Sequence, residues 1–216
     1  MSYLIKRANG PVDLSAAWDS PTWQQAVALK LEVVFDRSSD HRPPTTVKML
    51  YDDKNIYGLF QVEDHYVRAV AQQNQEQVCK DSCVEFFVRP AGQKEYFNFE
   101  INCGGTLLLY RVRDCRAKDF DVLSEETLAT IERFHTLPKI VDPEIQEPTV
   151  WRLGFRIPIS FFEEYSTINP NLSGQVWKAN FTKCADDTSH PHWLSWLNLS
   201  KLDFHLPDEF ADIIFE

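Results

Sequence analysis

The chain reads as an all-β protein, an antiparallel β-sandwich of jelly-roll or immunoglobulin-like type with one or two short helices. Three observations carry that reading. Apolar and polar residues alternate strictly in several short runs, turn formers punctuate the intervals between them, and no strand–helix–strand rhythm or internal repeat breaks the pattern.

The first expected element is a helix. Asp19-Ser20-Pro21-Thr22 sets a capping side chain just before a proline that suits the first helical turn, and the helix is expected to end by Leu31. From Val47 the texture changes: VKMLYDD and NIYGLFQVED flank the turn Asp52-Asp53-Lys54-Asn55, which predicts a β-hairpin. SCVEFFVRP then puts Ser82, Val84, Phe86 and Val88 on one face and Cys83, Glu85, Phe87 and Arg89 on the other, ending at Pro90 before a turn through Ala91-Gly92-Gln93. EYFNFEIN separates Phe97, Phe99 and Ile101 from Asn98, Glu100 and Asn102 in the same way, and Gly104-Gly105 turns the chain into TLLLYRVR.

A second helix is expected from Ser124 to His135, with Leu128 and Ile131 as its apolar stripe behind a serine cap. A crossing marked by Pro138, Pro143 and Pro148 leads into VWRLGFRIP, where Trp151, Leu153, Phe155 and Ile157 alternate with Arg152, Gly154 and Arg156. VWKANFTKC and DIIFE complete a set of roughly eight to ten strands. Between them, Asp186 to Phe210 reads as a long ordered loop.

A length of 216 residues, 44% of them hydrophobic, fits a single domain over residues 1–216 that buries its own core without disulfide or metal staples. With 22 basic against 32 acidic residues the formal charge is -10, which repels phosphate backbones and anionic lipid; neither nucleic acid nor a membrane is an expected partner. No stretch approaches the ~20 apolar residues of a membrane span. The opening MSYLIKRANG has no apolar run behind Lys6-Arg7, so no secretion signal is expected in this chain. That predicts a cytoplasmic location as written, or a secreted or periplasmic one if the natural chain starts earlier. Cys79, Cys83, Cys103, Cys115 and Cys184 form an odd set without Cys-x-x-Cys spacing, which fits buried thiols in a reducing compartment.

Sharp catalytic motifs are absent: there is no G-x-G-x-x-G, Walker loop, G-x-S-x-G, H-E-x-x-H or EF-hand loop, and this counts against an enzyme. The polar faces of the strands are more informative. Glu85 and Glu100 stand on consecutive strands, where a pair of carboxylates could bond ligand hydroxyls, form a structural ion pair with an arginine, or serve as a glycosidase dyad. Trp193 and Trp196 lie in the polar Asp186–Phe210 segment, where they either plug the end of the sandwich or form an aromatic platform. A pyranose presents an apolar C–H face and a hydroxyl edge, so an aromatic platform rimmed by carboxylate and amide groups matches it. His190, His192 and Cys184 lack a fourth zinc ligand and are divided by Pro191, so they read as a loop histidine pair and a separate thiol. Calcium is the metal that the oxygens of Asp52, Asp53 and Asn55 could take, although an acidic turn between strands is the commoner use of such residues.

With these residues in place, the chain resembles carbohydrate-binding module family 9 from Trp18 to the C-terminus. The resemblance rests on an ordered series: Asp13-Leu14-Ser15 followed by Trp18 and Trp23, VKMLYDDKNIYGLFQVED, KDSCVEFFVRP, YFNFEIN with its glycine turn, WRLGFRIPISFF, then WKANFTKC with LSW and FHLPDEF. It implies a β-sandwich that binds sugar without catalysis, in glycan recognition during polysaccharide breakdown, with a separate glycoside hydrolase as a partner. It places Glu85 on the family's sugar-contacting glutamate, Asn180 near a binding asparagine, and Trp196, with Trp193 as the alternative, at the second stacking tryptophan. Val78 and Cys79 stand where the family carries its first. The expected ligand-binding set is therefore Trp196, Trp193, Glu85, Glu100, Asn98 and Asn180. The rival readings are a glycoside hydrolase acting through Glu85 and Glu100, and a protein-interaction sandwich without a sugar site.

Overall fold

In the computed structural model, which describes all of residues 1–216, the alternating runs become strands. Strand β1 (Ser2–Arg7) opens the chain, and helix α1 (Pro21–Gln24) is followed by β2 (Ala28–Lys30) and β3 (Val33–Val34). The expected hairpin is β4 (Thr45–Tyr51) and β5 (Asn55–Asp64), after which come β6 (Val67–Ala69), β7 (Cys83–Arg89), β8 (Tyr96–Asn102), β9 (Leu107–Asp114) and β10 (Asp119–Val122). Helix α2 (Glu125–Leu128), β11 (Glu132–His135), β12 (Val141–Ile145), β13 (Thr149–Pro158) and α3 (Ile159–Tyr165) fill the middle of the chain. It closes with β14 (Val176–Ala185), β15 (His192–Ser195) and β16 (Ala211–Phe215).

The expected helices are shorter than their sequence signals. Ser20 caps α1 by accepting from the Trp23 N–H, yet the helix stops at Gln24, and Ala28–Lys30 pair with Lys48, Val47 and Thr46 of β4 instead of continuing to Leu31. Ser124 caps α2 in the same way, but Glu132–His135 become the edge partner of β13. In both places a sheet edge offers a full row of backbone partners, whereas one extra helical turn adds few bonds after a costly nucleation. The third helix, α3, was not expected: Ile and Phe are common in strands, and only the packing of Ile159, Phe161 and Phe162 into the core gives ISFFEEY a helical role. The structure thus has three short helices and sixteen strands against the one or two helices and eight to ten strands expected. Six of the strands beyond those read from the sequence, β2, β3, β6, β10, β11 and β15, have four residues or fewer, too short to show alternation.

Two sheets pack face to face. One runs β10-β9-β8-β7-β14-β16-β1 and the other β1-β4-β5-β13-β11. Strand β1 belongs to both, pairing through Ser2–Ile5 with β16 and through Lys6–Arg7 with β4, and both pairings are parallel, the exception in an otherwise antiparallel sandwich. The core lies between the sheets. Phe86 of β7 stacks on Phe181 of its own sheet at 5.1 Å and on Phe155 of the opposite sheet at 5.8 Å, so aromatic rings bridge the two layers. All five cysteines are free thiols, with Cys83, Cys103 and Cys184 buried. No helix is long and apolar enough to cross a membrane.

Candidate ligand-binding site

The period of two in β7, β8 and β14 decides where the site lies. Val84, Phe86, Phe99 and Phe181 point into the core, so Cys83, Glu85, Phe87, Asn98, Glu100, Thr182 and Cys184 must point to the outer face of the same sheet. Register then sets them in rows. Glu100, Glu85 and Thr182 are direct cross-strand partners in one row, and Asn98, Phe87 and Asn180 in the next. The Asp186–Phe210 segment folds over this face rather than away from it, and β15 within it pairs with the end of β14 so that Trp193 lies opposite Cys184.

Between the sheet and this cover lies a cavity of about 360 Å³, lined by Glu85, Glu100, Cys184 and Phe87 below and by Asp186, Trp193, Lys201 and Phe204 above and around. It is near the small end of the range of ligand pockets, roughly 300–1,000 Å³. Trp193 is half-buried, and its Nε1 donates to Asp186 Oδ1 at 2.8 Å, which fixes the indole as one wall. A polar cavity of about 590 Å³ around Gln72, Asn74, Arg133 and Lys139 offers no Trp, Tyr or Phe face to a ligand.

The two carboxyls at the floor are buried and directly opposed. Thr182 Oγ1 donates to Glu85, and Cys184 Sγ donates to Glu85 Oε1 at 3.1 Å. Burial outweighs these bonds and pushes the Glu85 carboxyl up to about 7. Glu100 accepts from Asn98 Nδ2 at 2.7 Å; burial, and then the neighbouring Glu85 charge, push its carboxyl well above the ordinary range. Burial raises Asp186 as well. The floor of the cavity therefore holds a pair that resists double ionisation, as closely spaced carboxyls do.

The expected site residues divide on this geometry. Glu85, Glu100 and Trp193 meet at the cavity. Asn98 stands behind Glu100 as its hydrogen-bond donor while its own oxygen accepts from the Tyr110 N–H, so it holds the carboxyl in place. Asn180 is fully buried and bonds Ser195 Oγ, away from the cavity lining. Trp196 is 5% exposed and packs in the core against Tyr3 and Phe181, so the expectation that it forms the platform is corrected. The cause is simple parity: Trp193 lies in β15 and Trp196 directly follows its last residue, its N–H still bonded to the Phe181 carbonyl of β14, and residues an odd number apart along an extended chain leave it on opposite faces. The aromatic partner beside Trp193 is Phe204, which the sequence had shown only as one of many aromatic residues in the segment.

The metal expectations resolve in the same way. Asp52 Oδ1 accepts from the backbone N–H groups of Lys54 and Asn55 at 2.8 Å, Oδ2 accepts from Tyr57, and Asp53 pairs with Arg7, so the acidic turn is held by turn hydrogen bonds and an ion pair. His192 faces Lys183 on the core side of β14, while Cys184 faces Glu85, so the two histidines and this thiol do not converge. The ligand atoms of Cys83, Glu85 and Cys184 do lie within 4.8 Å of one another. Burial pushes the Cys83 thiol up to about 12 and the Cys184 thiol up as well, so both thiols stay protonated, and Cys184 donates to Glu85 beneath the cavity.

Residues 22–215 match the family model for carbohydrate-binding family 9. Among solved structures, a candidate carbohydrate-binding protein from Bacteroides uniformis is similar over 100% of this chain and 99% of its own, with 30% identity and a TM-score of 0.86. A carbohydrate-binding module of family 9 from Caldicellulosiruptor kristjanssonii, solved in complex with glucose, is similar over 100% of this chain and 96% of its own, at 12% identity and a TM-score of 0.67. The same comparison with a Caldicellulosiruptor kristjanssonii module in complex with cellotriose covers 94% of that chain, again at 12% identity and 0.67. No functionally curated protein matches the chain.

Proposed function

Since the chain belongs to carbohydrate-binding family 9, whose modules bind sugars without catalysis, we propose that its sugar site is the cavity between the outer face of β7, β8 and β14 and the Trp193 cover. The observation that carries this reading is the meeting of an aromatic wall, Trp193 with Phe204, and a floor of opposed carboxyls, Glu85 and Glu100, in one small cavity. Sugar C–H groups stack on the ring faces, and sugar hydroxyls donate to the carboxyl oxygens. The size suits one or two sugar residues, hence a mono- or disaccharide or the end of a longer glycan. Glucose and cellotriose, the ligands in the two Caldicellulosiruptor complexes, are the first to try. A separate glycoside hydrolase that releases such ends is the partner this reading implies.

The dyad chemistry of a glycosidase fits the geometry poorly. Its two carboxyls flank a scissile bond, and one of them must be ionised to act as base or nucleophile. Here both project side by side from neighbouring strands, and burial drives both toward protonation.

Calorimetric titration with glucose, cellobiose and cellotriose, on the natural protein and on Trp193→Ala, tests the site. Saturable binding lost in the variant supports it; binding that survives Trp193→Ala at full strength places the site elsewhere.

A further inference from the structure

The charges around the cavity are one-sided. Glu85, Glu100 and Asp186 line it, and Asp203 stands at its rim. Lys201 is the lining cation, but it is half-exposed and its Nζ lies 3.5 Å from Asp203 Oδ2. His205 is held neutral by burial, with Nδ1 at 2.8 Å from the Tyr96 hydroxyl. Lys183, whose charge is felt by Glu85, stands on the other face of β14 and is bonded to His192. No cation in the chain therefore neutralises the floor from within the cavity.

Glu100 supplies a second, independent observation. It is only 6% exposed, one of its oxygens accepts from Asn98, and no group of the chain donates to the other, although the residue lines the cavity. That other oxygen is not sealed from solvent, so a donor that enters the cavity can reach it.

From this arrangement we infer that the cavity selects an amino sugar of the glucosamine type over the corresponding neutral sugar and excludes uronic acids, an inference that rests on reading this cavity as the sugar site. An ammonium group carries three donors and no acceptor, which suits a floor made of acceptor oxygens. Hydrogen bonds from an ammonium to carboxylates are charge-assisted and stronger than those from a hydroxyl. A sugar carboxylate, by contrast, would add negative charge to a floor of carboxyls that resist it and would find no cation there to pair with. The ammonium also favours the ionised forms of Glu85 and Glu100, whose protons burial retains, so its binding expels protons, whereas a neutral sugar leaves them where they are.

Four disaccharide-sized probes of similar skeleton separate the outcomes: the β-1,4-linked glucosamine dimer, its N,N'-diacetyl form, cellobiose, and a glucuronic-acid-bearing disaccharide. Each is titrated by calorimetry at mildly acidic pH with a chelator present, in two buffers of different ionisation enthalpy so that released protons are counted. The expected result is that the glucosamine dimer binds roughly tenfold or more tightly than cellobiose, since one charge-assisted bond in place of a neutral one is worth about that factor. It is also expected to release protons, with the advantage lost in the diacetyl form. In Glu100→Gln, and separately in Asp186→Asn, the ratio between the dimer and cellobiose should shrink toward unity. Cellobiose binding as tightly as the dimer, or the uronic acid binding best, overturns the inference and leaves the sugar site standing. No binding by any probe to the folded protein overturns the sugar site itself.

Discussion

The ammonium of Lys183 donates to Nε2 of His192 at 2.7 Å, with neither side chain exposed to solvent. His192 Nδ1 donates in turn to the His190 carbonyl at 2.8 Å, so the ring is neutral and its tautomer is set. Lys183 also donates to the Cys184 carbonyl at 3.0 Å and lies 3.7 Å from Asp64 Oδ2. Burial opposes ionisation of Asp64, but the Lys183 charge and the His41 hydrogen bond prevail and hold its carboxyl well below the ordinary range. Thus a charged group on the core side of β14 is matched from β5 and β15.

His192 makes the first prediction. Burial, and then the Lys183 charge, push the imidazole down to about 3 from an ordinary 6.5. The unfolded chain binds a proton at this ring below about 6.5 and the folded chain does not, so the contribution of His192 to stability falls as pH drops from 6.5 toward 3. His192→Gln should flatten this acid-side fall in urea midpoints measured across that window. Parallel curves for variant and natural protein would refute it.

Removing the ammonium should be more damaging. Lys183→Met leaves the Asp64 charge buried against His41 and Trp151 without its counter-ion, and unpairing a buried ion is expected to destabilise by about 3 to 5 kcal/mol. Denaturant unfolding measures this directly, and a change below about 1 kcal/mol, the size of an exposed pair, would mean that water reaches the site.

The two tryptophans of the cover should separate binding from stability. Trp193→Ala removes a cavity wall and should weaken sugar binding by more than about 1 kcal/mol while leaving the core intact. Trp196→Ala empties a core position between Tyr3 and Phe181 and should destabilise the fold by about 3 to 5 kcal/mol. Calorimetry and urea unfolding on both variants check the division, and a reversed pattern would move the platform to Trp196.

The opposed carboxyls predict the opposite pH trend to His192. Because burial raises the folded-state values of Glu85, to about 7, and of Glu100, the unfolded chain loses these protons first, and stability falls as pH rises above about 4.5. Glu100→Gln removes one member of the pair, so its melting temperature relative to the natural protein should climb as pH rises above about 4.5. A constant difference at all pH values would show that the carboxyls titrate normally.

Much of this protein is legible in its residues alone. Strict alternation in SCVEFFVRP and EYFNFEIN assigns Phe86 and Phe99 to the core and Glu85 and Glu100 to the other face, because a period of two is a local property of an extended chain. The hairpin around Asp52–Asn55 and the caps at Ser20 and Ser124 are local in the same sense. The ordered motifs likewise carry the family.

What only the tertiary structure decided is non-local. The register that sets Glu85 directly opposite Glu100, the split of β1 between two sheets, and the early ends of α1 and α2 all depend on which distant strand supplies a backbone partner. The fate of the two tryptophans depends on the same thing. Nothing between Asp186 and Phe210 announces a strand, yet pairing of His192–Ser195 with β14 fixes the face of each residue, turning Trp193 toward the carboxyls and Trp196 into the core. Composition and order can supply the groups of a binding site, but long-range hydrogen bonding chooses which of them share a cavity, because a one-residue change in strand register moves a side chain to the other side of the sheet.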